Sequence, residues 1–359
     1  MNPHRRILLQ ETAIGAGLLT TAWYLFYWVA VGSLVDYLRP GPLLDYVTGP
    51  AIHVEMIVSG LGLGVILALV SYLSDGTSLR LRPFGQIILV KSALYLVGLV
   101  LVAVLVNLIF LVFLFSLEEL RGVLGAMSPR LVVSLGGWTV LSILGVNFLM
   151  EVRRKVGPGN LGALLTGRYH RPRKEDRVFL FLDLKRSTTI AEALGHARYS
   201  EFLRQVYHDL TEIVLKHGAE IYQYVGDEVV LTWRSDRGDS EIQSLQAFFA
   251  FRDKLASKEA WYVEAFGVVP EFRGGAEEGQ VTATEVGDIK RDIAFHGDPL
   301  NTAARLLELC REYGQPVLVS GRIQASLAGD RSLSTEFRGE VTLRGKREPV
   351  AVYGVIQAA

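Results

Sequence analysis

Two aspartates stand where a chain can hold a divalent metal. Asp183 closes the run RVFLFLDL, whose continuous apolar character reads as a buried strand, and the polar segment LKRSTT follows it into a helix. A carboxylate at the C-terminal end of a strand, beside a helix N-terminus, suits phosphates and their Mg²⁺. The ordinary alternative is helix capping, which Ser187 or Thr188 could equally supply. Asp227 sits in EIYQYVGDEVVLTW, where Gly226 and Asp227 interrupt two alternating runs rich in Tyr, Val and Ile. That pattern predicts a β-hairpin with an acidic residue at its tip. A Gly-Asp turn alone does no more than reverse a chain. Two acidic residues on adjacent central strands, however, can hold two Mg²⁺ about 4 Å apart, activating a hydroxyl and stabilising charge on a phosphoryl group.

A third element is FHGDPLNTAARLLEL, in which Asp298 and Pro299 open a helix and Asn301 and Arg305 share one face. Leu300, Ala303, Ala304, Leu307 and Leu309 cover the other faces. Asn and Arg pointing together make a donor-rich surface suited to ribose and phosphate oxygens; a solvated helix face with a surface arginine is the plainer alternative.

In this order and spacing the pieces resemble the class III nucleotide cyclase catalytic domain. FLFLDLKRSTT is similar to that family's first metal motif and YQYVGDEVV to its second, which implies Asp183 and Asp227 as metal ligands, joined by the backbone carbonyl of Leu184. HGDPLNTAAR resembles the family's Asn-x-x-x-Arg helix, implying that Asn301 places the ribose and Arg305 stabilises the transition state. LRGKREPVAVY resembles the closing phosphate-binding segment, with Arg344 where the family has a lysine. Ser187 and Thr188 fall on the substrate side of the first motif. The resemblance spans residues 177–355. It implies two Mg²⁺ or Mn²⁺ per site, and a homodimer, because in this family the metal aspartates and the Asn-Arg pair come from opposite subunits. The segment FRGGAEEGQVTATEVG, residues 272–287, looks like the hairpin arm that helps such dimers associate.

Two positions depart from the family. Gln223 stands where a base-reading lysine is found, and Ala294 where its partner is commonly Asp or Thr. A Gln side chain can pair with a base edge in several ways, whereas Ala offers no donor or acceptor. ATP is the favoured substrate by resemblance; GTP and pyrimidine triphosphates stay open, as does a silent nucleotide-binding sensor. VGDEVV also approaches the GGDEF signature of diguanylate cyclases, but Val225 replaces its first glycine and the Asn301/Arg305 helix has no counterpart there.

What positions these residues is an α/β domain, expected over residues 177–359, in which strands alternate with helices from Arg177 onward; the resemblance implies a ferredoxin-like fold with a mixed or antiparallel sheet. Residues 188–217 read as a long helix broken near Gly195, with Ile190, Leu194, Phe202, Val206, Leu210 and Ile213 on its apolar face. Ahead of it, half of the 359 residues being apolar is explained by four runs, residues 13–35, 56–73, 85–115 and 131–150. They predict an all-α transmembrane bundle over residues 1–150. The first is too long for a signal peptide and lacks a small-residue cleavage site. Basic residues at Arg5, Arg6, Arg80, Arg82, Arg153, Arg154 and Lys155 predict cytoplasmic termini and a multi-pass protein of the plasma (inner) membrane. The outer loops mix Arg39, Arg121 and Arg130 with Asp36, Asp45, Glu55, Glu118 and Glu119.

Trp23, Tyr24, Tyr27 and Trp28 fall in mid-span and are expected to pack against neighbouring helices. Lys91, near the start of its run, is expected to snorkel to the cytoplasmic interface. Four spans with little intramembrane charge suit an anchor and dimerisation bundle, or a receptor for an apolar or lipid signal, better than a transporter or channel. The basic stretch over residues 151–176 reads as a juxtamembrane connector resting on anionic headgroups. With 37 basic and 37 acidic residues the net charge is zero, which excludes a general polyanion binder and gives no reason to expect nucleic acid. Cys310 is the single cysteine, so neither an intramolecular disulfide nor a Cys-based zinc cluster can form, and burial on an apolar helix face is expected.

Overall fold

A change from continuous to alternating apolar patterning divides the chain into two compact units, Met1–Val156 and Gly157–Ala359. The computed structural model describes residues 3–34, 40–75, 83–113, 118, 121, 129–156, 160–289, 291–327, 329–342 and 348–358. Arg344 lies outside the described residues, as do Asp36, Arg39, Arg80, Arg82 and Glu119 of the topology argument.

The first unit consists, among the described residues, of long helices α1 (Pro3–Leu34), α3 (Pro50–Asp75), α4 (Phe84–Phe113) and α5 (Pro129–Val156), with a short α2 (Pro42–Thr48). Small residues let α1 and α3 approach: a Cβ on Gly64 would lie 2.6 Å from that of Ala16. Of the four expected spans, two, Ile52–Ser71 and Gly85–Val102, are long and apolar enough to cross a membrane among the described residues, and Ala13–Val29 is a shorter apolar helix.

Lys91 does not snorkel. Its side chain is 3% exposed and donates to Glu151 Oε1 at 2.5 Å. The expectation missed this because Glu151 lies just past the last apolar run and meets Lys91 only when α4 and α5 pack. Asn147 donates to the Ile88 carbonyl at 3.1 Å and to Ser92 Oγ at 2.8 Å, extending the polar contact between these helices. Tyr24 and Tyr27 pack on His53, with ring centroids 5.9 and 5.4 Å away, whereas Trp28 is 76% exposed and does not pack as expected.

The second unit is built on strands β1 (Arg173–Leu184), β2 (Glu220–Val225), β3 (Glu228–Arg234), β4 (Phe272–Val286), β5 (Asp292–His296), β6 (Val317–Ser320), β7 (Leu333–Val341) and β8 (Val350–Gln357). They form one mixed sheet in the order β2-β3-β1-β4-β6-β8-β7, with β5 beside β4 and only β4–β6 parallel. Helices α6 (Asn160–Leu165), α7 (Ser187–Leu194), α8 (His196–Lys216), α9 (Ser240–Ser257), α10 (Glu259–Phe266), α11 (Asp298–Leu309) and α12 (Gly321–Ser326) complete it. Gly195 separates α7 from α8 at φ 73°, a left-handed backbone that a side chain disfavours. The main core lies between α8, α9 and the face of β1 that carries Val178, Leu180, Leu182 and Leu184. Each buried Val or Leu there contributes about 1.5–3 kcal/mol. On the opposite face Phe179 packs with Val281 and Ala303, so α11 covers that side.

Two expectations about the frame are narrowed. The arm over residues 272–287 is an arm only at its far end, since Phe272–Ala276 run between β1 and β6 in the centre of the sheet and the β5 pairing begins at Thr282. Part of the expected connector is also packed: Tyr169 is buried against Ala283 and Ile293, and its carbonyl accepts from Glu285 N at 2.9 Å. Arg177, 2% exposed, ties this region to the hairpin by donating to Glu175 at 2.9 Å and Glu220 at 2.8 Å, with Phe295 beneath its guanidinium.

Candidate active site

Antiparallel pairing of β1 with β3 sets Asp183 opposite Glu228, so Asp227 in the adjoining turn stands beside it. Val225 pairs with Glu228, leaving Gly226 and Asp227 as a two-residue loop. Gly226 adopts φ 64°, as the first central residue of the tight turn that such loops favour. The predicted hairpin and its acidic tip are therefore present, and the structure brings Asp183 and Asp227 together. Burial holds the Asp183 carboxyl above its ordinary range, and Asp227's charge adds to this, while the hydrogen bond from Arg273 opposes both. Glu228 is also raised, by burial and then by Asp183, Asp227 and Glu308. Negative charge is thus concentrated at one end of β1 and β3, and Arg273 Nη2 donates to Asp183 Oδ2 at 2.9 Å.

Arg273 is the β4 register partner of Asp183, so two strands far apart in sequence deliver the contact. No local pattern singles it out. Glu228 and Tyr207 were missed for the same reason. Tyr207, on α8, donates to the carbonyls of Gly226 at 3.0 Å and Glu228 at 3.4 Å. Tyr199 is pushed up to about 12 by burial, then by Asp227 and Asp183.

Leu184 ends β1 with its side chain buried, opposite Phe272. Ser187 and Thr188 open α7, yet neither caps it: Arg186 holds the N-cap position at φ 58°, without a side-chain cap. The capping alternative for these residues is thereby corrected. The first-turn N–H groups of α7 follow Asp183 directly and carry the partial positive charge of a helix start.

Gln223 is exposed on the edge strand β2, next to a register shift between Ile221 and Gln223. Ala294 is half-buried on β5. Their immediate neighbours meet: Tyr222 and Phe295 have ring centroids 5.0 Å apart, and Phe295 N donates to Tyr222 Oη at 3.3 Å. Asn301 and Arg305 share the exposed side of α11, and Arg305 Nη1 contacts both Glu308 carboxylate oxygens at 2.7 Å. Among the described residues, no hydrogen bond or ion pair joins Asn301 or Arg305 to Asp183 or Asp227. Cys310 is buried as expected, its thiol donating to the Gly274 carbonyl at 3.1 Å.

No group of three or more His, Cys, Asp or Glu side chains forms a metal cage among the described residues. The donor set nevertheless fits Mg²⁺ or Mn²⁺. Hard cations of this size are commonly held by one or two carboxylates plus substrate phosphates. In this chain a guanidinium balances Asp183's charge.

Residues 170–357 match the family model described as the adenylate and guanylate cyclase catalytic domain. A protein named adenylate cyclase 2 from Rhizobium meliloti (strain 1021) is 35% identical over 205 residues, covering 57% of this chain and 56% of that protein. An adenylate cyclase from Anabaena cylindrica is 24% identical over 181 residues, covering 50% of this chain and 36% of that one. The chain thus spans about half or less of the length of these relatives. A bacterial light-regulated adenylyl cyclase of known structure shares the fold, with TM-score 0.51 and 17% identity over 60% of this chain and 63% of that one.

Proposed function

The chain belongs to the adenylate and guanylate cyclase catalytic-domain family, and from that premise we propose that it is a membrane-anchored, homodimeric adenylate cyclase. The observation that carries the catalytic part is the β1–β3 register, which sets Asp183 and Asp227 side by side at one end of these strands. In this mechanism their carboxylates, with the Leu184 carbonyl, hold the metal ions. When bound, the ions lower the pKa of the ribose 3′-hydroxyl and offset charge on the triphosphate. The α7 N-terminus, with Ser187 and Thr188, faces the phosphates, and Arg273 offers a second cation there. Arg344 serves the phosphates from the closing segment.

Asn301 and Arg305 act on the nucleotide held by the partner subunit's aspartates, Asn301 orienting the ribose and Arg305 facing charge around the α-phosphate. This division is what the family resemblance implies; within one chain no hydrogen bond or ion pair among the described residues joins the two sets, whose ion pairs are Arg273 with Asp183 and Arg305 with Glu308. The O3′–P bond forms as the bond to pyrophosphate breaks, giving the 3′,5′-cyclic monophosphate. ATP is favoured because the relatives quoted above are named adenylate cyclases. Gln223 reads the base edge, and Ala294 leaves its opposite side without a polar partner.

The apolar helices of the first unit, with their polar groups turned into the bundle at Lys91, Asn147 and Glu151, support a membrane anchor; cytoplasmic termini in the plasma (inner) membrane follow from the basic residues that flank the apolar runs. The test supplies purified protein with Mg²⁺ or Mn²⁺ and each of the four nucleoside triphosphates, with products identified by mass spectrometry. Cyclic AMP is expected from ATP, and Asp227→Ala and Arg305→Ala should each abolish it. Co-expression of the two inactive variants should restore part of the activity, because a mixed dimer retains one intact site. No cyclic product from any triphosphate would overturn the enzyme reading; cyclic GMP alone would overturn the substrate.

A further inference from the structure

We propose that Tyr207 is a positioning residue that sets metal affinity by fixing the turn carrying Asp227; this rests on the two-metal reading above. The hairpin tip has little else to hold it. β2 is the edge of the sheet, its last three residues are exposed, and its pairing with β3 shifts between Ile221 and Gln223. Edge segments with few buried contacts open most readily. A carboxylate on such a loop would lose part of its metal affinity to the entropy of being brought into place.

α8 supplies the missing restraint. Phe202, Val206, Leu210 and Ile213 anchor it in the main core, and Asp209 is held by Lys258 at 2.6 Å and Tyr262 at 2.8 Å. From that fixed helix the Tyr207 ring lies 4.6 Å from that of Tyr224, and its hydroxyl reaches Gly226 O and Glu228 O, the carbonyls on either side of Asp227. One hydroxyl spanning both sides of a two-residue loop restrains the loop and does not touch the Asp227 carboxylate. Tyr207 therefore acts through the turn that carries Asp227.

Tyr207→Phe removes the hydroxyl and keeps the ring on Tyr224. The full-length protein is titrated with Mn²⁺ by electron paramagnetic resonance, in the presence of ATP lacking its 3′-hydroxyl so that no turnover occurs. Binding lost in Asp227→Ala defines the site. Loss of one net hydrogen bond predicts Mn²⁺ binding weakened about three- to tenfold. The Mn²⁺ needed for half-maximal turnover should rise by the same factor, while kcat at saturating Mn²⁺ is kept and the unfolding midpoint hardly moves. Unchanged Mn²⁺ binding, or a kcat loss that saturating metal does not repair, overturns the proposal. Absence of any Asp227-dependent Mn²⁺ binding in the unsubstituted protein overturns the two-metal reading itself, and Tyr207's role with it.

Discussion

Gly275→Ala tests what places the Asn301/Arg305 helix. Gly275 lies on β4 beneath α11, and a Cβ there would fall 2.3 Å from the Ala303 carbonyl oxygen and 2.4 Å from Leu307 N. Both atoms are backbone, so no rotamer change relieves the overlap. Ordinary contact begins near 3.4 Å, so α11 must retreat by about 1 Å. Overpacking of this kind costs about 1–3 kcal/mol, which leaves a domain of this size folded. The functional effect is larger, because Asn301 and Arg305 ride on the displaced turn, and a misplacement of about 1 Å at a reacting group costs on the order of 10²-fold in rate. Turnover at saturating nucleotide and metal should therefore fall steeply, with a modest drop in unfolding midpoint. Mn²⁺ binding at Asp183 and Asp227 should persist. Turnover equal to the unsubstituted protein would refute the argument that this contact sets the helix; equal losses of turnover and Mn²⁺ binding would move the effect to the aspartate side.

Lys91→Met should destabilise the first unit by about 3 kcal/mol, the lower end for breaking a buried pair, since Glu151 retains 12% exposure. The double variant Lys91→Met/Glu151→Leu should recover most of that; thermal unfolding in detergent measures both, and an unaffected single variant would mean that the pair is absent. The Cys310 thiol, pushed up to about 12 by burial, should resist alkylation at neutral pH until the protein unfolds, which mass spectrometry after a denaturant series would report. Glu278 is raised to about 7 by burial, then by the Glu241 hydrogen bond and charge and by Glu277. The fold thus favours its protonated form, so its contribution is complete below the ordinary value of 4.5 and is lost as pH rises through about 7. Glu278→Gln should flatten the fall in unfolding midpoint across that window, and an unchanged slope would assign the fall elsewhere.

Several features are legible in the sequence because they are local. Alternation around Gly226-Asp227 specifies the hairpin, the Gly195 break is visible as a glycine in an apolar-periodic helix, and Asp298-Pro299 marks the start of α11. Motif order names the catalytic candidates, and the family match over residues 170–357 covers the stretch in which they lie. The residues that tune the site are not legible in this way. Arg273 meets Asp183 through a pairing across about ninety positions of sequence, and Tyr207 reaches the turn from a helix whose pattern marks only its apolar face. Lys91 shows the same limit in the first unit: its surroundings suggest an interface residue, and its counter-ion comes from another helix.

The sequence by itself determined the Gly226-Asp227 hairpin, the helix break at Gly195 and the start of α11, and marked the candidates for chemistry, because side-chain type, turn residues and apolar period act over a few neighbouring positions. Tertiary structure alone decided how the charges pair and how closely the helices seat: Arg273 on Asp183, Glu151 on Lys91, Tyr207 across the Asp227 turn, and α11 against Gly275. These depend on strand register and close packing between distant segments, for which the chain carries no local mark.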